Sequence, residues 1–293
     1  MHHFPLTRRL RLSLLAATLA LGFCAGSRAD VIANFTGGTG TASADQYAGT
    51  SGSGWNAGWN STRVGPGTVV NTSPLSGGGG NYLHIDHSVG AVSGNFDVSR
   101  AWQNAAVSYT QPLTLSWQVR YDGDSDGNDS TFTSTSDQLV FADGSVGTGS
   151  TFFIAVFGAN SGSAVAKNWA FYNGLNNTTL DTSRYVDSGI TLTVGTVYTF
   201  NATMSPTTAT WVGSVSDGTN SFTSGTLNFR SAATSAAGTF SFRSAQSNSA
   251  DGMQVSLDSI SIAAIPEPTA LSLLGVGVLA ITIGKRRPKG TKI

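Results

Sequence analysis

The chain is poor in the residues that build most catalytic and metal centres. Its 293 residues include one cysteine, Cys24, and one glutamate, Glu267, and charged residues make up only 11% of it. Cys24 lies in a segment that reads as removable, so the mature protein has no thiol. That excludes disulfides, thiolate metal sites and a cysteine nucleophile, even in a compartment that permits disulfides. A formal charge of zero conceals an uneven distribution. Between Asp30 and Ile265, fifteen aspartates face Lys167 and six arginines (63, 100, 120, 184, 230 and 243), a net charge of −8. This excludes nucleic acid as a partner, because phosphate binding needs clustered lysine and arginine. The same body also lacks any stretch that joins helical periodicity to helix-forming composition.

What the body has instead is period two. Leu113, Leu115, Trp117, Val119 and Tyr121 alternate with Thr114, Ser116, Gln118 and Arg120, the pattern of a half-buried strand. Similar runs occur at 139–141, 151–157, 169–172, 198–204, 209–215 and 240–242, separated by Gly, Asn, Asp and Ser. In the last run Met253, Val255 and Leu257 are followed by Ile260 and Ile262, and this phase slip predicts a bulge at Asp258-Ser259. The expected fold is all-β, a two-sheet antiparallel sandwich of jelly-roll type.

The two ends read as addresses. Arg8, Arg9 and Arg11 precede an apolar run from Leu12 to Cys24, and Ser27-Arg28-Ala29 offers small residues before a signal-peptidase cut between Ala29 and Asp30. Phe23, standing where a lipoprotein needs a small residue before its Cys, argues against lipidation of Cys24. At the other end, Pro266-Glu267-Pro268 precedes sixteen uncharged residues, Thr269 to Gly284, and then Lys285-Arg286-Arg287. Pro268 suits the first turn of a helix. At ~1.5 Å per residue the apolar run covers roughly 24 Å, so a membrane helix must extend over about 268–285 to span. The cations after it place the C-terminus in the cytoplasm.

This order of Pro-Glu-Pro, short apolar helix and basic cluster resembles the PEP-CTERM sorting signal of Gram-negative bacteria. The resemblance implies recognition, and cleavage near Pro266-Glu267-Pro268, by an exosortase-type membrane transpeptidase. A signal peptide (1–29), a passenger (30–263) and a sorting segment (264–293) follow. The alternative is an ordinary C-terminal tail anchor. The passenger also resembles concanavalin-like, laminin-G-type domains in 52–59 (Gly-Ser-Gly-Trp-Asn-Ala-Gly-Trp), 194–200 (Val-Gly-Thr-Val-Tyr-Thr-Phe) and 255–260 (Val-Ser-Leu-Asp-Ser-Ile). That likeness implies a fold that hosts lectins, glycosidases and structural modules alike.

Within such folds, retaining glycosidases use Glu-x-Asp-x-Glu on one strand, which a body without glutamate cannot supply. Asp122, Asp124, Asp126 and Gly127 match the first half of an Asp-x-Asp-x-Asp-Gly calcium loop, but position twelve is Thr133 instead of glutamate. A bound structural calcium would need help from Asn128, Asp129 or Asp137; the alternative is a solvated acidic turn. His84-Ile85-Asp86-His87 puts His84 and Asp86 on one strand face and His87 on the other, which reads as polar edge-strand surface in preference to zinc. His84 and His87 are the only histidines between Asp30 and Ile265, which gives a serine hydrolase little to build on. Trp117 and Trp211 fall on core phases, whereas Trp55 and Trp59 sit in a Gly-rich loop, either stacking on sugar rings or plugging one end of the sandwich.

The expectation is a non-catalytic surface or extracellular-matrix protein. It is exported as an inner-membrane precursor, processed by signal peptidase and an exosortase-type enzyme, and delivered to the cell envelope or extracellular polysaccharide. The rival is a carbohydrate-binding, lectin-like domain in which Trp55, Trp59, Tyr82 or Trp102 stack on sugars and calcium orders the Asp122 loop.

Overall fold

Strand β6 (Leu113–Gly123) is buried at every second residue from end to end, with Leu113, Leu115, Trp117, Val119 and Tyr121 inward. It lies at the middle of the larger sheet, sheet A. On one side of β6 come β11 (Val197–Ser205), β12 (Thr210–Ser216) and β13 (Ser221–Thr223); on the other come β16 (Gln254–Ala264), β4 (Tyr82–Asp86) and β3 (Gly67–Val70). Two short strands join off this path, β1 (Asp30–Ala33) beside β16 and β14 (Leu227–Asn228) beside β12. Sheet B has the order β10 (Tyr185–Thr191), β9 (Asn168–Tyr172), β8 (Phe153–Phe157), β7 (Gln138–Asp143), β15 (Thr239–Gln246), β5 (Gly94–Ala101) and β2 (Asn60–Ser61). The strand pairings among the described residues are antiparallel, and they form the all-β, two-sheet sandwich of jelly-roll type that the alternation predicts.

The computed structural model describes residues 30–33, 35, 53–61, 67–70, 75, 82–86, 94–102, 107, 109–124, 132–144, 146, 150–174, 180–231, 238–247 and 252–265. Ala29 to Ile265 form one compact unit. The signal peptide with Ala29, the sorting residues Pro266, Glu267, Pro268, Lys285, Arg286 and Arg287, and the predicted membrane helix lie outside the described residues, as do Asp126 and His87. Among the described residues no helix is long and apolar enough to cross a membrane.

Aromatic rings fill the space between the sheets. Trp117 of sheet A stacks on Phe200 with centroids 5.3 Å apart and meets Phe141 and Phe240 of sheet B at 5.1 and 5.5 Å. Such pairs add about 0.5–1.5 kcal/mol each to the burial of their area. β7 and β8 are buried on both faces, because Val140, Ala142, Phe153, Ala155 and Phe157 form a second cluster with Tyr172 and Tyr185 behind sheet B. The predicted bulge is present: the β16–β6 register shifts between Asp258 and Ser261, and Ser259 takes φ 55°.

Candidate functional site

The polar side chains of the central strands converge on the outer face of sheet A. Because β6 buries its odd-numbered residues, Gln118, Arg120 and Asp122 point outward together. Their partners across the ladder are Asp258, opposite Gln118, and Ser256, opposite Arg120; Ser256 in turn faces His84 on β4. Residues paired this way hold their Cβ atoms about 4.5–5.5 Å apart. Tyr82 lies one step along β4, its ring 6.1 Å from that of His84.

The two ends of this patch differ in how their charges are met. Asp122 is ion-paired with Arg120 and accepts a hydrogen bond from the Ser256 hydroxyl at 2.5 Å. At the other end, the Asp258 carboxylate is fully buried and neither oxygen has a hydrogen-bond partner. Gln118 Oε1 and His84 Nδ1 are likewise buried and without partners, while Gln118 Nε2 donates to Thr199 Oγ1 at 3.5 Å. Burial pushes the Asp258 carboxyl up to about 6; the nearby backbone N–H of Ser259 offsets this in part without completing a hydrogen bond. Burial, followed by the charge of Asp122, raises the Tyr82 hydroxyl above its usual range.

The residues singled out by sequence are distributed differently from expectation. Asp122 belongs to a strand, because the β6 ladder runs on to Gly123, and its carboxylate is already engaged; Asp124 is buried at 3% exposure. Asp137, expected as a helper ligand, is saturated by Thr133 N, Ser134 N, Ser247 N and Ser247 Oγ at 2.6–2.9 Å. Asn128 and Asp129 also lie outside the described residues, and among the described residues no three His, Cys, Asp or Glu side chains are grouped to hold a metal. β4 is an interior strand between β16 and β3, which corrects the expected edge position of His84 and Asp86. The two do share its outer face, and Asp86 accepts from Gln254 Nε2 at 3.3 Å.

Trp117 and Trp211 are in the core as expected. Trp59 is 3% exposed and wedged between Phe35, Trp55 and Phe240, with ring centroids at 5.8, 5.6 and 6.3 Å. Trp55 packs beside it, and the buried Arg100 guanidinium lies 4.7 Å above the Trp55 ring while its Nε–H donates to Ala57 O at 2.7 Å. This is the plug arrangement, with no face of Trp59 open to a sugar. Trp102 is fully buried, and Tyr82 is 9% exposed.

Two buried carboxylates carry no motif that marks them in the sequence. Asp143 accepts from Trp102 Nε1 (2.9 Å), Thr151 Oγ1 (2.7 Å), Gly238 N (3.1 Å) and Thr239 N (3.1 Å), joining the ends of β5, β7, β8 and β15. Even so, burial holds its carboxyl at about 6. Asp258 is legible in the sequence only as a bulge position. The available signal for both was a charge set at the end of, or within, an otherwise apolar strand run.

No family model matches the chain, and no curated protein matches it. Solved structures that resemble it include peanut lectin with a nine-residue peptide, 11% identical over 83% of this chain and 100% of the lectin, with a TM-score of 0.45. The catalytic domain of a glycoside hydrolase family 131 protein from Coprinopsis cinerea is 10% identical over 69% of this chain and 78% of that one, TM-score 0.46. A sialidase is 9% identical over 72% of this chain, TM-score 0.40, and the chain spans 18% of that protein's length. At these identities and scores the likenesses carry no argument about what the chain binds.

Proposed function

We propose that the chain is an exported, non-catalytic surface or extracellular-matrix protein. Its β-sandwich is the passenger between a signal-peptidase site at Ala29-Asp30 and a PEP-CTERM-type sorting signal built on Pro266, Glu267 and Pro268. The precursor stands in the inner membrane with Lys285, Arg286 and Arg287 on the cytoplasmic side. An exosortase-type transpeptidase then releases the passenger to the envelope or extracellular polysaccharide. The observation that carries this reading is the antiparallel pairing of β1 with β16, in which Asp30 lies opposite Ala263. It brings the first residue after one predicted cut beside the last residues before the other, so both junctions leave the sandwich at one end and can face one membrane. The fold closes just before the tripeptide, where Ile265 N donates to Pro112 O at 2.8 Å.

Glu267→Ala in the native host tests it: the variant is expected to accumulate as an untrimmed, membrane-held precursor. Unchanged trimming and destination would remove the sorting reading.

A second reading, carbohydrate binding by the sandwich, is favoured by the acceptor oxygens of Asp258 and Gln118, which stand without donors on the outer face of sheet A. A polyhydroxyl ligand supplies the missing donors.

A further inference from the structure

We infer that the Asp258–Gln118 pair on the outer face of sheet A is the floor of a saccharide-recognition site; this rests on the carbohydrate-binding reading and moves the site away from Trp55 and Trp59. Three acceptor oxygens, two from Asp258 and one from Gln118, stand on one rung of the β6–β16 ladder with no hydrogen bond completed to any of them. A buried acceptor without a donor is costly, and a charged one more so, which is why native interiors rarely keep one. Turning the Gln118 amide end for end gives Asp258 one N–H, leaving its second oxygen and His84 Nδ1 open.

The missing partner is therefore rich in donors. A divalent cation such as calcium needs six to eight oxygens, and this rung offers three. Vicinal hydroxyls meet the requirement better: two O–H groups donate to the carboxylate in short, charge-assisted bonds, and a third donates to Gln118 Oε1. The surroundings suit a sugar as well. Arg120 and His84 form a half-buried rim, and Tyr82 contributes a ring beside His84. Solvent does not reach the carboxylate itself, so a sugar enters only by moving the side chains that cover it. The bulge explains why Asp258 is placed here. With Ser259 at φ 55°, the ladder shifts at the point where β16 exchanges β4 for β1 as its neighbour.

The test is calorimetric titration of the full chain in detergent with hexasaccharides of glucose, galactose, mannose and N-acetylglucosamine. At least one is expected to bind, with affinity at least tenfold weaker in both Asp258→Asn and Gln118→Ala and within twofold of wild type in Trp55→Ala. Asp258→Asn is expected to melt no lower than wild type, which separates loss of binding from loss of fold. Equal affinity in wild type and Asp258→Asn overturns the site while leaving the carbohydrate reading standing, and is the result if Asp258 is simply protonated and donates to Gln118. Loss confined to Trp55→Ala returns the site to the tryptophan loop. Binding of calcium alone that disappears in Asp258→Asn assigns the oxygens to a metal and overturns the inference. Absence of binding by every hexasaccharide ends the carbohydrate reading itself.

Discussion

The indole N–H of Trp102 donates to Asp143 at 2.9 Å inside the sandwich, with both side chains fully buried. Three further donors converge on the same carboxylate, from Thr151, Gly238 and Thr239. Trp102 is thereby a structural residue, fixing where β5, β7, β8 and β15 meet. Asp143→Ala strands four buried donors at once. Chemical denaturation of this variant is expected to show a loss of about 3–5 kcal/mol. A loss under 1 kcal/mol would show that the network is dispensable.

A pH dependence follows from Asp258 and Asp143. Both carboxyls are raised from 3.8 to about 6, so the folded state binds protons more tightly than the unfolded one. Their stabilisation is full below about pH 4 and is lost as pH rises through 6, up to about 3 kcal/mol each. Between pH 5 and 7.5, where unperturbed carboxylates do not titrate, stability is expected to fall by roughly 1–1.5 kcal/mol per group. Asp258→Asn is expected to remove about half of that slope. Urea melts at the two pH values decide the matter, and a rise in stability over this interval contradicts the assignment.

Trp59 and Arg100 close one end of the sandwich. Trp59→Ala opens a large cavity against Phe35, Trp55 and Phe240, with an expected loss of about 3–5 kcal/mol by denaturant melt. Arg100→Lys keeps the charge but gives up the Nε–H bond to Ala57 and the planar contact with Trp55, with an expected loss of about 1–2 kcal/mol. If Trp59→Ala leaves stability unchanged and abolishes binding of a sugar, the plug is the wrong description of this ring.

Gly213 on β12 has no room for a side chain. A Cβ there would lie 2.5 Å from Phe171 Cδ1 and 2.6 Å from Trp211 Cζ3, and both rings are buried. Gly213→Ala is expected to destabilise by about 1–3 kcal/mol and to lower the thermal midpoint, since neither ring can withdraw without disturbing its neighbours. An unchanged midpoint would show that the rings repack freely.

The parts of the fold that sequence reveals are those whose two faces differ. β6, β11 and β12 have one face in the core and one in water, and their alternation is visible at sight. β8 is apolar on both sides because Phe153, Ala155 and Phe157 serve a second cluster, so its run shows a strand without showing which face is which. β5 and β10 escape notice for a different reason. β5 carries Asp97 and Arg100, which find partners in Arg243 and in the tryptophan plug, while β10 is a polar strand at the end of its sheet. The candidate site is harder still. Gln118, His84 and Asp258 lie 34 to 174 positions apart in the chain and meet only through the β6–β16–β4 pairing, which local patterns do not encode.

The most direct measurement of the central claim is the intact mass of the protein recovered outside the cells of its native host. The account predicts a chain that begins at Asp30 and has lost the apolar segment and basic tail that follow Pro268. An extracellular product that still carries Thr269 to Ile293 would contradict it.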